Sequence, residues 1–370
     1  KQQLQSAIVI IDNRTGDIVA MAGGVGEKVD FDAFNRATDS KLQSGSAIKP
    51  LSIYAPAFEL EIISPATVVK DLPFRYESDG TVFPRNDSNT YSYSRSILSA
   101  VSASVNASAT YTLDMLTTDI GYEFAKEKFG LQTLTDHYES SSGRIQSDID
   151  YAPLAMGAQT VGITVRDMAN AYSTFANGGV WREARTYSKV YDSDGNVVLD
   201  NTQDQKKILS TKTVNYMNYC MVTAASGGTG AAATNNLRGV EVAGKTGSTS
   251  SYRDRWFCAF TGHYTGAVWC GYDTPEVITV TDGSGGHPAV TMWWRVMRPV
   301  HNGLKSVRLY DRSKFTDTTV CLASGLKATD ACALDVRVGV VEKFAVTQGV
   351  KVYPEDVPDK VCDAHVAVDY

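Results

Sequence analysis

The strand-forming residues of this chain lie on either side of a long helical stretch, and that separation does most to limit the folds open to it. "SAIVIIDNRTGDIVAMAGG", residues 6 to 24, has two apolar, β-branched runs around "DNRTGD" and reads as strand, turn and strand. Another strand and turn pair, "TYSKVYDSDGNVVLD", follows at 186 to 200, and three comparable segments, "VEVAGKTGST", "WFCAFTGHY" and "GAVWCGYD", come near residues 240 to 273. In between, from about 46 to 180, the apolar spacing is mostly helical. "VRDMANAYSTFANGG" ends on Asn177, Gly178 and Gly179, a good helix stop. A sheet using both strand sets must join distant parts of the chain around an inserted helical block. The pattern therefore predicts an α+β fold with a central antiparallel sheet, from about 5–24 and 240–273, flanked by helices. Residues 1–304 read as one domain, and 305–370 as a C-terminal extension, irregular with short strands.

A 370-residue chain with 43% hydrophobic and 10% aromatic content can bury a sizeable core. The net charge of -6 and the absence of a basic patch exclude a nucleic-acid backbone as partner. The longest apolar runs fall well short of the ~20 residues that cross a bilayer. Lys1 leads straight into a strand, so the chain is expected to be part of something longer.

Three short polar motifs stand out: Ser46-Ala-Ile-Lys49, Ser104-Val-Asn106 and Lys245-Thr246-Gly247. "SAIKPLSIYAPAFELE" is helical in spacing, with Pro50 near the first turn, which puts Ser46 at or near a helix N-terminus. A serine hydroxyl needs a base within reach to act as a nucleophile. Positions i and i+3 share a helix face, so Lys49 can present its amine to Ser46. That amine is a base only when neutral, a state that burial or a nearby positive charge favours. Ser104 and Asn106 alternate around Val105, as in a loop that aims two polar side chains into a cleft, for proton relay and amide binding. Lys245, Thr246 and Gly247 fall on a strand, where glycine admits a substrate backbone and the lysine and hydroxyl can receive a carboxylate. The backbone N–H groups of Ser46 and Ser248 are candidates for an oxyanion hole. Each residue alone reads more readily as a helix cap, a solvated lysine, a buried helix polar group or a strand end; their joint presence, in order, favours chemistry.

The motifs come with "FNRAT", "GSAIKPLSIYAPAFE", "SASVNASA", "AYSTFANGG", "GGTG", "VAGKTGSTS", "RWFCAFTG" and "VWCGYD". Over most of residues 5 to 304 the chain resembles the transpeptidase domain of class A penicillin-binding proteins, the bifunctional cell-wall synthases of bacteria. The resemblance implies a β-lactamase/transpeptidase-like fold and a serine D,D-transpeptidase that needs no cofactor or metal. Ser46 would attack the carbonyl between the last two D-alanines of a peptidoglycan stem peptide, with Lys49 as base. Ser104 and Asn106 would serve proton transfer and amide binding, while Lys245, Thr246 and Ser248 would receive the terminal carboxylate. An acceptor amine would complete the crosslink, and β-lactam antibiotics would acylate Ser46. The resemblance also implies work at the outer face of the bacterial cytoplasmic membrane, with a glycosyltransferase domain and a membrane anchor upstream. Leu42, Ser44, Ile48 and Ser248 depart from the family's commoner residues, which bears on β-lactam affinity more than on the reaction. A serine β-lactamase or β-lactam sensor is one alternative, although no glutamate motif for activating water is visible between 106 and 245. A non-catalytic peptidoglycan-binding module is another.

His137, His263, His287, His301 and His365 belong to no recognisable triad motif and read mostly as surface or structural residues. Of the six cysteines, Cys258 and Cys270 flank a hairpin and could face each other across it. For Cys321, Cys332 and Cys362 in the tail, a disulfide is the favoured reading over free thiols. A metal site using Cys362 and His365 comes last, because the spacing fits no common zinc pattern.

Overall fold

The two distant strand regions meet in one sheet. The computed structural model describes residues 2–27, 34–279, 286–334 and 346–365. In chain order the elements that matter for the site are β1 (Gln5–Asp12), β2 (Ile18–Ala22), α1 (Ala55–Glu59), β3 (Val68–Asp71), β4 (Tyr93–Ser96), α2 (Ile97–Ser102), α3 (Asn106–Leu116) and α4 (Val165–Ala176). They continue with α5 (Thr211–Gly227), β5 (Ala243–Ser248), β6 (Asp254–Phe260), β7 (Tyr264–Gly271), α6 (Pro288–Val300), β8 (Thr316–Cys321), α7 (Asp330–Leu334) and β9 (Thr347–Val352). The five-stranded sheet runs β5-β6-β7-β1-β2, antiparallel throughout, with Gln5 opposite Gly271 and Asp12 opposite Tyr264. The expected α+β architecture is the observed one.

Successive strand residues point to opposite faces, and both faces of this sheet are covered, so β1 reads as a continuous apolar run. On one face Val9, Ile11, Trp256, Phe260 and Trp269 join Tyr172 and Phe175 of α4 and Met217 of α5 in the larger buried cluster. On the other, Ile8, Ile10, Phe257 and Val268 pack against Val290, Trp293 and Met297 of α6. No helix among the described residues is long and apolar enough to cross a membrane.

Strands interrupt the helical block: β3 pairs with β4 between α1 and α2. The local apolar pattern is weak there, and the buried carboxylate of Asp71 organises the segment instead, accepting from Asn86 (2.7 Å), Ser92 (2.6 Å) and Arg95 (2.8 Å). Beyond residue 304, β8 and β9 pair antiparallel, and Leu309, Val320, Leu322, Val350 and Val352 join the larger buried cluster. Phe315 and Tyr353 pack edge-to-face on Tyr216 of α5 with ring centroids 5.7 and 5.2 Å away.

The cysteine expectations need correction. Register places Cys258 opposite Ala267 and Cys270 opposite Arg255. The two thiols lie on opposite faces of the sheet, one in each core, so no bridge can join them. All six cysteines are free, the three of the tail included. Those three thiols instead gather with His365, their ligand atoms all within 4.8 Å of one another.

Candidate active site

Ser46 sits half-buried in the first turn of a helix that opens irregularly. Residues Gly45–Ile48 form a 3₁₀ turn, Pro50–Tyr54 a wider π turn, and only then does α1 begin. Proline causes the tight start: an α-helix would have the N–H of residue 50 donate to the carbonyl of Ser46, and Pro50 has none. The Lys49 N–H takes that carbonyl in its place. Neighbours hold the turn from several sides. Gln159 accepts from the Ser44 N–H (3.0 Å) and donates to Ser44 Oγ (2.8 Å). Tyr172 Oη donates to the Ala47 carbonyl (2.7 Å), and Trp256 Nε1 to that of Gln43 (2.8 Å).

The turn lies directly against β5. Gly45 has φ +55, a conformation glycine adopts readily, and a Cβ there would come within 2.6 Å of the Ser248 backbone nitrogen. A Cβ on Gly247 would lie 2.2 Å from the Ser44 carbonyl oxygen and 3.0 Å from Ala47 Cβ. The glycine of the third motif was expected to admit a substrate backbone. The side where a Cβ would stand faces the serine's own turn, so its small size also lets strand and turn close together.

The second motif joins the two lysines. Lys49 Nζ donates to Asn106 Oδ1 (2.6 Å) and to the Ser104 carbonyl (3.2 Å), while Lys245 Nζ donates to Ser104 Oγ (2.6 Å). Ser104 has φ +58, unusual for a residue with a Cβ, a strain that the flanking α2 and α3 hold in place. Val105 is buried between them. Among the hydrogen bonds of the described residues none joins Ser46 Oγ to Lys49 Nζ; the amine is committed to the second motif. Asn106 Nδ2 donates to the Arg85 carbonyl (2.8 Å), and Asn86 Oδ1 receives the Ala107 N–H (3.0 Å), linking this corner to Asp71.

Both lysines are fully enclosed. Burial pulls Lys245 down to about 7. Burial and then the charge of Lys245 hold Lys49 well below the ordinary lysine value. These are the conditions under which an amine can act as a base near neutral pH.

The rest of the third motif meets residues that the sequence did not single out. Thr246 Oγ1 donates to Thr229 Oγ1 (2.7 Å), and Arg255 Nη1 donates to Ser248 Oγ (2.8 Å). His287, just before α6, has no hydrogen-bond partner for either ring nitrogen among the described residues. Burial, then the charges of Arg255 and Lys245, push its pKa down to about 3, so the ring is neutral. Thr229 lies in "GGTG" and Arg255 begins "RWFCAFTG", so the sequence carried a signal for both. Gln159 and Asp71 had no local signal, since their partners are remote in the chain.

The sequence model of the family described as "Penicillin binding protein transpeptidase domain" matches residues 6–285. Penicillin-binding protein 1A of Clostridium acetobutylicum is 34% identical over 307 residues, which are 80% of this chain and 36% of that protein. The chain spans about two fifths of the length of the curated relatives it matches. Among solved structures, penicillin-binding protein 1A from Haemophilus influenzae aligns with TM-score 0.73 at 20% identity, over 97% of this chain and 54% of that one. PonA1 from Mycobacterium tuberculosis, in complex with penicillin V, aligns with TM-score 0.66 at 23% identity, over 83% and 81%. These two likenesses speak for the fold, and the family match spans the sheet, the serine's turn and the lysine strand together: the chain belongs to the penicillin-binding protein transpeptidase family.

Proposed function

We propose that this chain is a D,D-transpeptidase domain that crosslinks peptidoglycan stem peptides through an acyl-enzyme on Ser46. The observation that carries the reading is the pair of buried, pKa-lowered lysines, Lys49 and Lys245, joined through Ser104 and Asn106 beside the serine's turn. Neutral Lys49 takes the Ser46 proton as Oγ attacks the carbonyl between the last two D-alanines. The backbone N–H groups of Ser46 and Ser248, brought close by Gly45, receive the developing oxyanion. As the C–N bond breaks, Ser104 passes a proton to the departing amine, and D-alanine leaves. The acceptor amine of a second stem then attacks the ester, and Ser46 Oγ recovers its proton as it is displaced.

Thr246 and Ser248, backed by Lys245 and Arg255, form a positive end for the terminal carboxylate, and Asn106 orients the donor amide. β5 is the edge strand of the sheet, so an extended peptide can lie along it. A β-lactam presents an amide carbonyl and a carboxylate in the same relation and would acylate Ser46. In the whole protein this chemistry would take place at the outer face of the cytoplasmic membrane.

Intact-protein mass after incubation with a penicillin, followed over hours with peptide mapping and a Ser46→Ala control, tests the proposal. A lasting adduct on Ser46, absent in the control, is expected. Rapid loss of the adduct with hydrolysed drug would mean a β-lactamase, and no adduct would mean a silent module.

A further inference from the structure

We propose that Cys321, Cys332, Cys362 and His365 form a tetrahedral zinc site that ties the C-terminal extension together. The four come from three separate segments: the end of β8, α7, and the strand-like stretch before residue 365. Their ligand atoms all lie within 4.8 Å of one another. His365 Nδ1 is 3.5 Å from Cys321 Sγ and 3.3 Å from Cys362 Sγ. A tetrahedral zinc ion with bonds of about 2.3 Å to sulfur and about 2.0 Å to nitrogen spaces its ligands by about 3.5 to 3.8 Å, close to the two His365 distances and reachable from a cluster within 4.8 Å by small side-chain adjustments. Three sulfurs and one imidazole are a donor set that selects zinc over the oxygen-seeking cations.

The surroundings suit such an ion. Cys321, Cys332 and Cys362 are buried in a small cluster of their own, with Ala328 and Val346 against it. The Thr329 N–H and hydroxyl both lie 3.4 Å from Cys332 Sγ, the outer-shell support that steadies a thiolate. Backbone bonds from Cys321 N to the Leu326 carbonyl and from Cys362 N to the Lys327 carbonyl, both 2.8 Å, fix two ligands on adjoining strands. A disulfide would use two sulfurs and strand the third beside the imidazole, whereas one ion uses all four groups. The spacing, Cys-x10-Cys-x29-Cys-x2-His, hid the site from motif reading because only the final pair is local.

Binding requires no electron transfer. Divalent zinc enters, three S–H groups release three protons to solvent, and neutral His365 donates its Nδ1 lone pair. The site clips the segment after β8 to the end of the extension. That segment is itself attached to the main domain, because Ser94 Oγ of β4 donates to the Leu322 carbonyl, and β4 leads into α2 and Ser104.

The test uses the full chain, purified under reducing, anaerobic conditions, supplied with zinc and dialysed against buffer containing a weak chelator. About one retained zinc per chain is expected, with Cys332→Ser and His365→Ala each reducing it severalfold. Cobalt substitution in the unaltered protein should give thiolate charge-transfer and tetrahedral ligand-field bands, a readout that needs no variant. A strong chelator should lower Tm and zinc should restore it. Penicillin labelling of Ser46 is scored separately, so failure of the zinc site and failure of the transpeptidase reading are distinct results. Absence of retained zinc, unchanged zinc content in both variants, or a disulfide among the three cysteines in protein isolated without reductant would each overturn the proposal.

Discussion

Lys245 Nζ lies 2.6 Å from Ser104 Oγ, so the lysine of the strand motif and the serine of the loop motif meet directly although they are far apart in sequence. The contact brings a second buried amine close enough to Lys49 for its charge to favour the neutral form there. A base near Ser46 thus depends on β5 as well as on the helix that carries it.

Replacing Lys49 with arginine should separate charge from basicity. A guanidinium stays protonated and cannot accept the Ser46 proton. Acylation by penicillin is expected to fall by about 10²–10⁴-fold, the usual contribution of a positioned base, and Lys49→Ala should fall as far. Stopped-flow labelling with a fluorescent penicillin measures both; Lys49→Arg acting at near the parent rate would remove Lys49 as base.

Acylation should rise with pH as Lys49, held well below the ordinary lysine value, loses its proton, and fall again as Lys245 loses, at about 7, the charge that keeps Lys49 neutral and receives the carboxylate. Stability should instead rise across the upper range. A lysine whose folded pKa is lowered binds fewer protons folded than unfolded between about 7 and about 10.5, so unfolding free energy climbs as pH rises across that window. Urea midpoints and labelling rates at matched pH values check both trends.

Gly247→Ala should damage folding and activity together. The new methyl would sit 2.2 Å from the Ser44 carbonyl, and backbone on both sides leaves little room to yield. Overpacking of this kind costs about 1–3 kcal/mol. The displaced turn would also carry Ser46 away from the Ser248 N–H. Urea denaturation and penicillin labelling should both register the change, whereas normal labelling would show that the turn need not be tight.

Asp71→Ala tests the support behind Asn106. The carboxylate is buried, accepts from Ser92, Arg95 and Asn86, and Asn86 in turn holds the first turn of α3. Removing the buried acceptor leaves the Asn86 and Ser92 donors unsatisfied, at about 1–3 kcal/mol. Burial raises the Asp71 pKa, but those hydrogen bonds outweigh it and leave the value lowered. Its contribution is therefore present above the unfolded value near 3.8 and is lost as pH falls through the folded one. Chemical denaturation at pH 7 and at low pH should show a large difference between parent and variant that shrinks on acidification.

What the sequence determined by itself is what local pattern can encode. Apolar runs rich in β-branched or aromatic residues marked β1, β6 and β7 because strand periodicity is written residue by residue, and the Ser-x-x-Lys spacing put Ser46 and Lys49 in the opening turns of one helix. Only the tertiary structure decided which of these faces meet. Register along β6 and β7 sent Cys258 and Cys270 to opposite sides of the sheet. Close packing of β5 on the serine's turn made Gly247 a contact residue on the sheet face as well as a member of the edge strand. The burial that lowers the Lys245 pKa, and the gathering of Cys321, Cys332, Cys362 and His365, arise from segments remote in the chain. Such contacts leave no periodicity behind, since they are selected by the packing of whole elements and not by the neighbours of any one residue.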